Sequence, residues 1–140
     1  MRYPASLNKQ LTSLYRVVLG LLIAMHGAST LFGVFGGKSV PADQWPGGLA
    51  ADIELVFGLV VLVGLATRPV ALLLSGTMAF AYFSVHQRVA LLPLQNGGEP
   101  AALFSWGFLM IAVIGAGPWS LDAVLSAARR RDSTALDTAT

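Results

Sequence analysis

FSVHQRVALLPLQNGGEP, residues Phe83 to Pro100, holds the end of one apolar run and the start of another. The first run stops at His86, a polar connection with an Asn96-Gly97-Gly98 turn follows, and Glu99 with Pro100 opens the second. Proline at the first turn of a helix loses no hydrogen bond, because its missing N–H would have had no partner there. A histidine that closes one apolar segment and a carboxylate that begins the next mark a loop joining two membrane helices. The polar groups beneath that loop are the first candidates for a working site.

The rest of the chain agrees with lipid as its solvent. Of its 140 residues 55% are hydrophobic and only 11% charged, where soluble domains carry about 25%. Upstream of the connection lies an apolar run at about Val70–His86, and downstream one at about Ala101–Gly117; two more, about Leu14–Phe35 and Leu49–Ala66, precede them. The expected fold is therefore all-α, an integral membrane four-helix bundle forming a single domain over residues 1–131. Thr67-Arg68-Pro69 is so short a connection that spans two and three must be antiparallel neighbours. GGKSVPADQWPGG, Gly36 to Gly48, reads as an extramembrane loop with Trp45 at the interface. Thr12 or Ser13 is expected to cap the first helix. A signal peptide would also place Arg2, Lys9 and Arg16 before an apolar stretch. This stretch, however, is long, lacks a small-x-small cleavage site and is followed by further spans. Beyond Gly117-Pro118, residues 120–130 read as a short interfacial amphipathic helix with Ser120 as N-cap, and residues 132–140, with little to bury, as a disordered tail.

Lys and Arg set the orientation. With both termini on one side, that side holds Arg2, Lys9, Arg16, Arg68 and Arg129 to Arg131, and the other holds Lys38 and Arg88. The positive-inside rule then makes the chain a multi-pass protein of the cell (inner) membrane, N-in and C-in, with the two long loops outside. The net charge of +2 is accounted for by this distribution, so lipid and not nucleic acid is the expected partner. Arg16, near the inner end of span one, reads as a snorkelling orientation anchor. Cysteine is absent, which excludes a disulfide scaffold, thiolate metal ligands, iron–sulfur ligation and thiol chemistry by this chain.

Placed on this map, the ionisable residues fall in one layer. His26 lies roughly 13 Å from the outer end of span one. Asp52 and Glu54 stand in the outer first turns of span two, His86 ends span three and Glu99 opens span four. Asp52 and Glu54 are about 200° apart on a helix, so only one faces the axis. Glu54 is chosen, being deeper and sharing a face with Gly58, whose lack of side chain admits a neighbouring helix. Tyr82 and Phe83 share the face of His86, and Trp106 shares that of Glu99. Aromatic stripes at this spacing serve packing as readily as a ligand wall.

ELVFGLVVLVGLATRPVALLLSGTMAFAYFSVH from Glu54 to His86, NGGE at Asn96 to Glu99 and GAGPWSLDA at Gly115 to Ala123 resemble the DoxX family of small four-helix membrane proteins. Arg16 together with LGLLIAMHG at Leu19 to Gly27 is similar to that family's first helix. The resemblance implies a membrane subunit of the thiosulfate:quinone oxidoreductase type, or a membrane anchor in thiol or oxidative-stress complexes.

Two functions of different class follow. In the first, a quinone-linked oxidoreductase subunit, His26 and His86 donate to the quinone oxygens, Glu54 and Glu99 relay protons to the outer surface, and Tyr82 and Trp106 wall the ring. In the second, a non-catalytic scaffold docks redox or oxidative-stress partner proteins, or a second copy of the chain, and the polar layer only fixes helix register. A b-type haem on His26 and His86 and a metal on two His and two carboxylates are cofactor variants of the first; neither has a local spacing motif such as ExxH or HxxxH. A transporter would need an inverted repeat, which the four spans do not show.

Overall fold

The computed structural model describes residues 5–137, and among these every regular element is helical. The helices are α1 (Ala5–Phe32), α2 (Gly47–Val63), α3 (Thr67–Ala81), the single turn α4 (Pro93–Asn96), α5 (Glu99–Ile114) and α6 (Leu121–Asp137). Helix α3 continues without interruption into a π-helical turn, Tyr82–His86. Two stretches, Ser6–Phe32 and Thr67–His86, are long and apolar enough to cross a membrane.

Helix α1 packs on α2, α2 on α3, α3 on α5, and α5 on α1, so these four helices close a ring. Ile23, Val61, Leu74, Met78, Phe108 and Ile111 fill its centre. Backbones meet where side chains are absent. A Cβ on Gly27 would stand 2.5 Å from the Ala51 oxygen and the Leu55 nitrogen, and one on Gly58 would lie 2.8 Å from the Ala24 nitrogen. Helices α3 and α5 are joined by reciprocal hydrogen bonds, Ser75 Oγ donating to the Ser105 carbonyl at 2.8 Å and Ser105 Oγ to that of Ser75 at 3.1 Å. Hydroxyl-to-carbonyl bonds of this kind hold helices together where burial of oil against oil gives no driving force.

Polarity is distributed inside out relative to a soluble protein. Leu21, Leu22, Val56, Leu59, Leu72 and Val113 face outward, whereas Ser13, Arg16, Glu54, Ser75 and Asn96 are buried. So broad an apolar exterior fits lipid as the surrounding medium.

One end of the ring is tied by Arg16, which is fully buried and does not snorkel. Its guanidinium donates to the carbonyls of Val61 (2.6 Å) and Leu62 in the last turn of α2, and to Ala116 (2.8 Å) and Trp119 in the segment after α5. The Val61 and Leu62 carbonyls lie at the negative end of the α2 dipole, which is why a long cation with a fork of donors turns inward here. Val61 also accepts from the Gly64 N–H at 3.0 Å. Neither Thr12 nor Ser13 is a cap, since α1 begins well before them. Their hydroxyls donate to Asn8 and Lys9 carbonyls one turn back, and Ser13 Oγ also accepts from the Trp119 N–H at 3.1 Å. Asp122 accepts from the N–H groups of Ala66 (2.8 Å) and Thr67 (2.9 Å) at the start of α3. Ser120 Oγ accepts from the Ala123 N–H at 3.2 Å, the cap expected for α6. The beginning of α1 and the beginning of α6 therefore share one end. Helix α6 reaches Asp137, so residues 132–137 are helical where the sequence reading has a disordered tail; residues 138–140 lie outside the described residues.

Candidate functional site

The other end of the ring gathers the polar groups. Glu54, in the second turn of α2, points inward with 6% of its side chain exposed, and its Oε2 lies 3.9 Å from His26 Nε2 on α1. That separation is too long for a direct hydrogen bond, and His26 keeps 62% of its side chain exposed. His26 is thus the rim of the site and Glu54 its floor.

His86 arrives from a third direction. The π turn inserts an extra residue per hydrogen-bonded loop, re-aiming the last side chains of α3, a distortion that recurs at functional sites. His86 Nδ1 stands 3.2 Å from the Asn96 carbonyl. A carbonyl only accepts, so Nδ1 carries the proton, and Nε2 of the neutral ring keeps a lone pair. Asn96 is itself fixed, donating from Nδ2 to the Ala90 carbonyl at 2.8 Å and accepting at Oδ1 from the Gly98 N–H at 2.7 Å.

His26, Glu54 and His86 line one cavity of about 180 Å³, whose remaining walls include Met78, Pro100, Ala101 and Phe104. A second cavity of about 170 Å³ shares His26 and Glu54 and is bounded by Pro46, Ala50, Phe80 and Ser84. Pro46, Ala50 and Phe80 also line an apolar groove of about 590 Å³ between α2 and α3, where Trp45 and Phe80 rings stand 6.0 Å apart. The second cavity therefore lies between the first and the apolar groove, sharing lining residues with each.

The remaining sequence candidates lie elsewhere. Glu99 begins α5 but is exposed and outside both cavities. The site is reached from α5 instead through Pro100 and Ala101. Trp106 is 72% exposed on the outer surface of α5 and lines neither cavity. Its spacing from Glu99 put both on one face, and that face is the outer one. Tyr82 is half-buried, packs edge-on to Phe83 and donates its hydroxyl to the Leu91 carbonyl at 3.2 Å, bracing the loop and not the cavity. Asp52 is half-buried off both cavities. Asn96 is the residue sequence reasoning passed over. Its signal was the NGG turn, read as loop chemistry only.

Residues 11–87 match the sequence profile of the DoxX family. The chain belongs to the DoxX family. It is 36% identical over 114 residues to an uncharacterized protein of Haemophilus influenzae, the aligned part covering 76% of this chain and 84% of that one. No solved structure matches the chain. The DoxX match contains His26, Glu54, the π turn and His86, and ends before Asn96.

Among the described residues no three His, Cys, Asp or Glu side chains stand close enough to share a metal. The cavity between His26 and His86 measures about 180 Å³.

Proposed function

We propose that this DoxX protein is the membrane subunit of a quinone-linked redox system, binding the quinone ring beside His26, Glu54 and His86 and its isoprenoid chain along the α2–α3 groove. The observation that carries this reading is a chamber holding one buried carboxyl and two imidazoles, followed by a second cavity that shares His26 and Glu54 with it and Pro46, Ala50 and Phe80 with a lipid-facing apolar trough. Such an arrangement suits an amphiphile with a two-oxygen head and a long hydrocarbon tail.

In this reading α1, α2, α3 and α5 form a membrane bundle with both termini in the cytoplasm. With Arg16 buried, Arg2, Lys9, Arg68 and Arg129 to Arg131 still outweigh Lys38 and Arg88. The site then lies in the outer half of the bilayer. Reduction of a quinone to a quinol takes up two electrons and two protons. This chain has no thiol, so the electrons come from a partner protein's redox centre, and its own residues manage the protons. Neutral His86 accepts a quinol O–H at Nε2, and protonated His86 donates there to a quinone oxygen. The protonated form is the one to which the donor role applies. Glu54 exchanges a proton at the opposite wall, with His26 at the rim connecting it to the surface.

The test is quinone binding and quinone-reductase activity of the purified protein in lipid, wild type beside Glu54→Gln and His86→Ala, with a visible spectrum on the same samples. Saturable binding weakened in both variants, with no haem band, is expected. Well-folded wild type that binds no quinone would return the reading to a scaffold for partner proteins.

A further inference from the structure

At the end opposite the His26–Glu54–His86 site, the segment after α5 and the first turns of α3 and α6 enclose an open basin of about 650 Å³. Arg68 of α3 and Arg130 of α6 line it, with Ala116, Gly117, Asp122 and Ser126 between them. Arg68 is exposed, and its hydrogen bond among the described residues is a 3.4 Å contact from Nη1 to the Ala112 carbonyl. Most of its fork of donors has no protein acceptor.

The backbone adds donors of its own. Gly115 and Gly117 have φ of +93° and +74°, and their turns break the helical pattern that would have consumed the next N–H groups. Among the described residues, neither the Ala116 nor the Gly117 N–H has a protein acceptor. The carboxylate in the basin does not oppose an anion at full strength. Both Asp122 oxygens already accept from the α3 amides, at 2.8 and 2.9 Å.

We infer that this basin is a binding site for a phosphate group, held between Arg68 and Arg130 over the Ala116–Gly117 amides, and that its ligand is the headgroup of an anionic phospholipid. Guanidinium forks and main-chain amides are the donors that recognise phosphate oxygens. A volume near 650 Å³ exceeds what one free anion fills and accommodates a phosphodiester with its glycerol. The place is also right for a lipid. Helix α6 leaves the basin with Leu121, Val124 and Leu125 exposed, an apolar edge beside Arg129 to Arg131, as in helices that lie on anionic membrane surfaces. A lipid phosphate bridging α3 and α6 would pin that helix to the bilayer. The inference is independent of what the opposite end binds.

The test uses the purified full chain in neutral detergent, titrated with dioleoyl phosphatidylglycerol or dioleoyl phosphatidylcholine and read by native mass spectrometry, with inorganic phosphate as competitor. Phosphatidylglycerol is expected to bind at one site roughly tenfold more tightly than phosphatidylcholine. Arg68→Gln and Arg130→Gln should each weaken it by about tenfold, the loss of one charge-assisted contact. Ser126→Trp, which fills the basin and removes no charge, should do the same. Arg129→Gln removes an equal charge outside the basin and should leave binding unchanged. Displacement of the lipid by inorganic phosphate that itself binds in an Arg68-dependent way would keep the site and make its ligand a soluble anion. Equal binding of the two lipids, or an Arg129→Gln loss as large as that of Arg68→Gln, would overturn the proposal. Helicity and melting of each variant separate lost binding from lost folding.

Discussion

The Arg16 guanidinium, carried by α1, donates to the Val61 carbonyl of α2 at 2.6 Å while its other nitrogens hold Ala116 and Trp119 beyond α5. One side chain thus closes the C-terminal end of α2 and ties it to the segment that leads into α6. Arg16→Leu removes every one of these donors and leaves Val61 with its bond from the Gly64 N–H alone, which should destabilise the protein by roughly 3 to 5 kcal/mol. Arg16→Lys should recover less than half of that, because an ammonium cannot present a planar fork to carbonyls on two elements. Thermal unfolding in detergent, followed by circular dichroism, checks both. A lysine variant as stable as wild type would show that charge alone suffices.

Gly27 and Gly76 make an opposed pair. A methyl group on Gly27 would meet α2 backbone at 2.5 Å, and a helix backbone has nowhere to move within a closed ring, whereas nothing lies within 4 Å of a methyl on Gly76. Gly27→Ala should destabilise by about 2 to 3 kcal/mol through overpacking. Gly76→Ala should stabilise by about 0.5 to 1 kcal/mol, since it only restricts the unfolded chain in a helical position. The same melting experiment tells them apart by sign.

How far the sequence could be read depended on what each residue's neighbours had to be. Helices α1, α2, α3 and α5 were legible from apolar runs and glycine punctuation, because those signals are local. Glu54 was chosen over Asp52 from helical geometry and from Gly58, both readable along one helix. Trp106 and Glu99 lie away from the two cavities for the complementary reason. Sharing a face is a property of one helix, but which face turns inward depends on its neighbours. Arg16 was misread because its acceptors lie 45 to 103 residues away in sequence. The π turn left no mark at all, since YFSVH has nothing a regular helix would refuse.

Asp122 gives the fold a pH dependence at its Arg16 end. Burial alone would raise its carboxyl, but the hydrogen bonds from Thr67 and Ala66, with Arg16 near by, outweigh this and hold it below the usual carboxylate range. A group depressed in the folded state stabilises most where it is ionised in both states, above its unfolded pKa of ~3.9, and loses that contribution as pH falls through the lower folded value. Wild type should therefore lose stability on acidification below about pH 4 through this group. Asp122→Asn should begin about 1 kcal/mol less stable at neutral pH, as for a lost helix cap, and the gap should narrow as pH falls below about 4, the unfolded carboxyl range. Melting curves of the two proteins across that range decide it. A gap that stays constant would mean the carboxylate's charge is irrelevant to its capping.

Asn96 should matter to the site although it does not line the cavity. Its carbonyl takes the His86 Nδ1 proton at 3.2 Å, and its side chain holds the Ala90 and Gly98 backbone that shapes the loop. Asn96→Ala removes both side-chain bonds and leaves the carbonyl in place but unsupported. His86 should then lose its fixed orientation, and quinone binding should weaken about tenfold, the equivalent of ~1.4 kcal/mol. Glu99→Gln and Trp106→Leu, both on exposed side chains away from the cavities, should leave binding within about twofold, a difference under ~0.5 kcal/mol. The nitrogen chemical shifts of His86 give a readout that a merely structural role would not move. In wild type they should show one dominant tautomer with the proton on Nδ1, and in Asn96→Ala a mixture. Strong effects at Glu99 or Trp106 with none at Asn96 would place the ligand on the outer face of α5 and remove the His26–Glu54–His86 chamber from the mechanism.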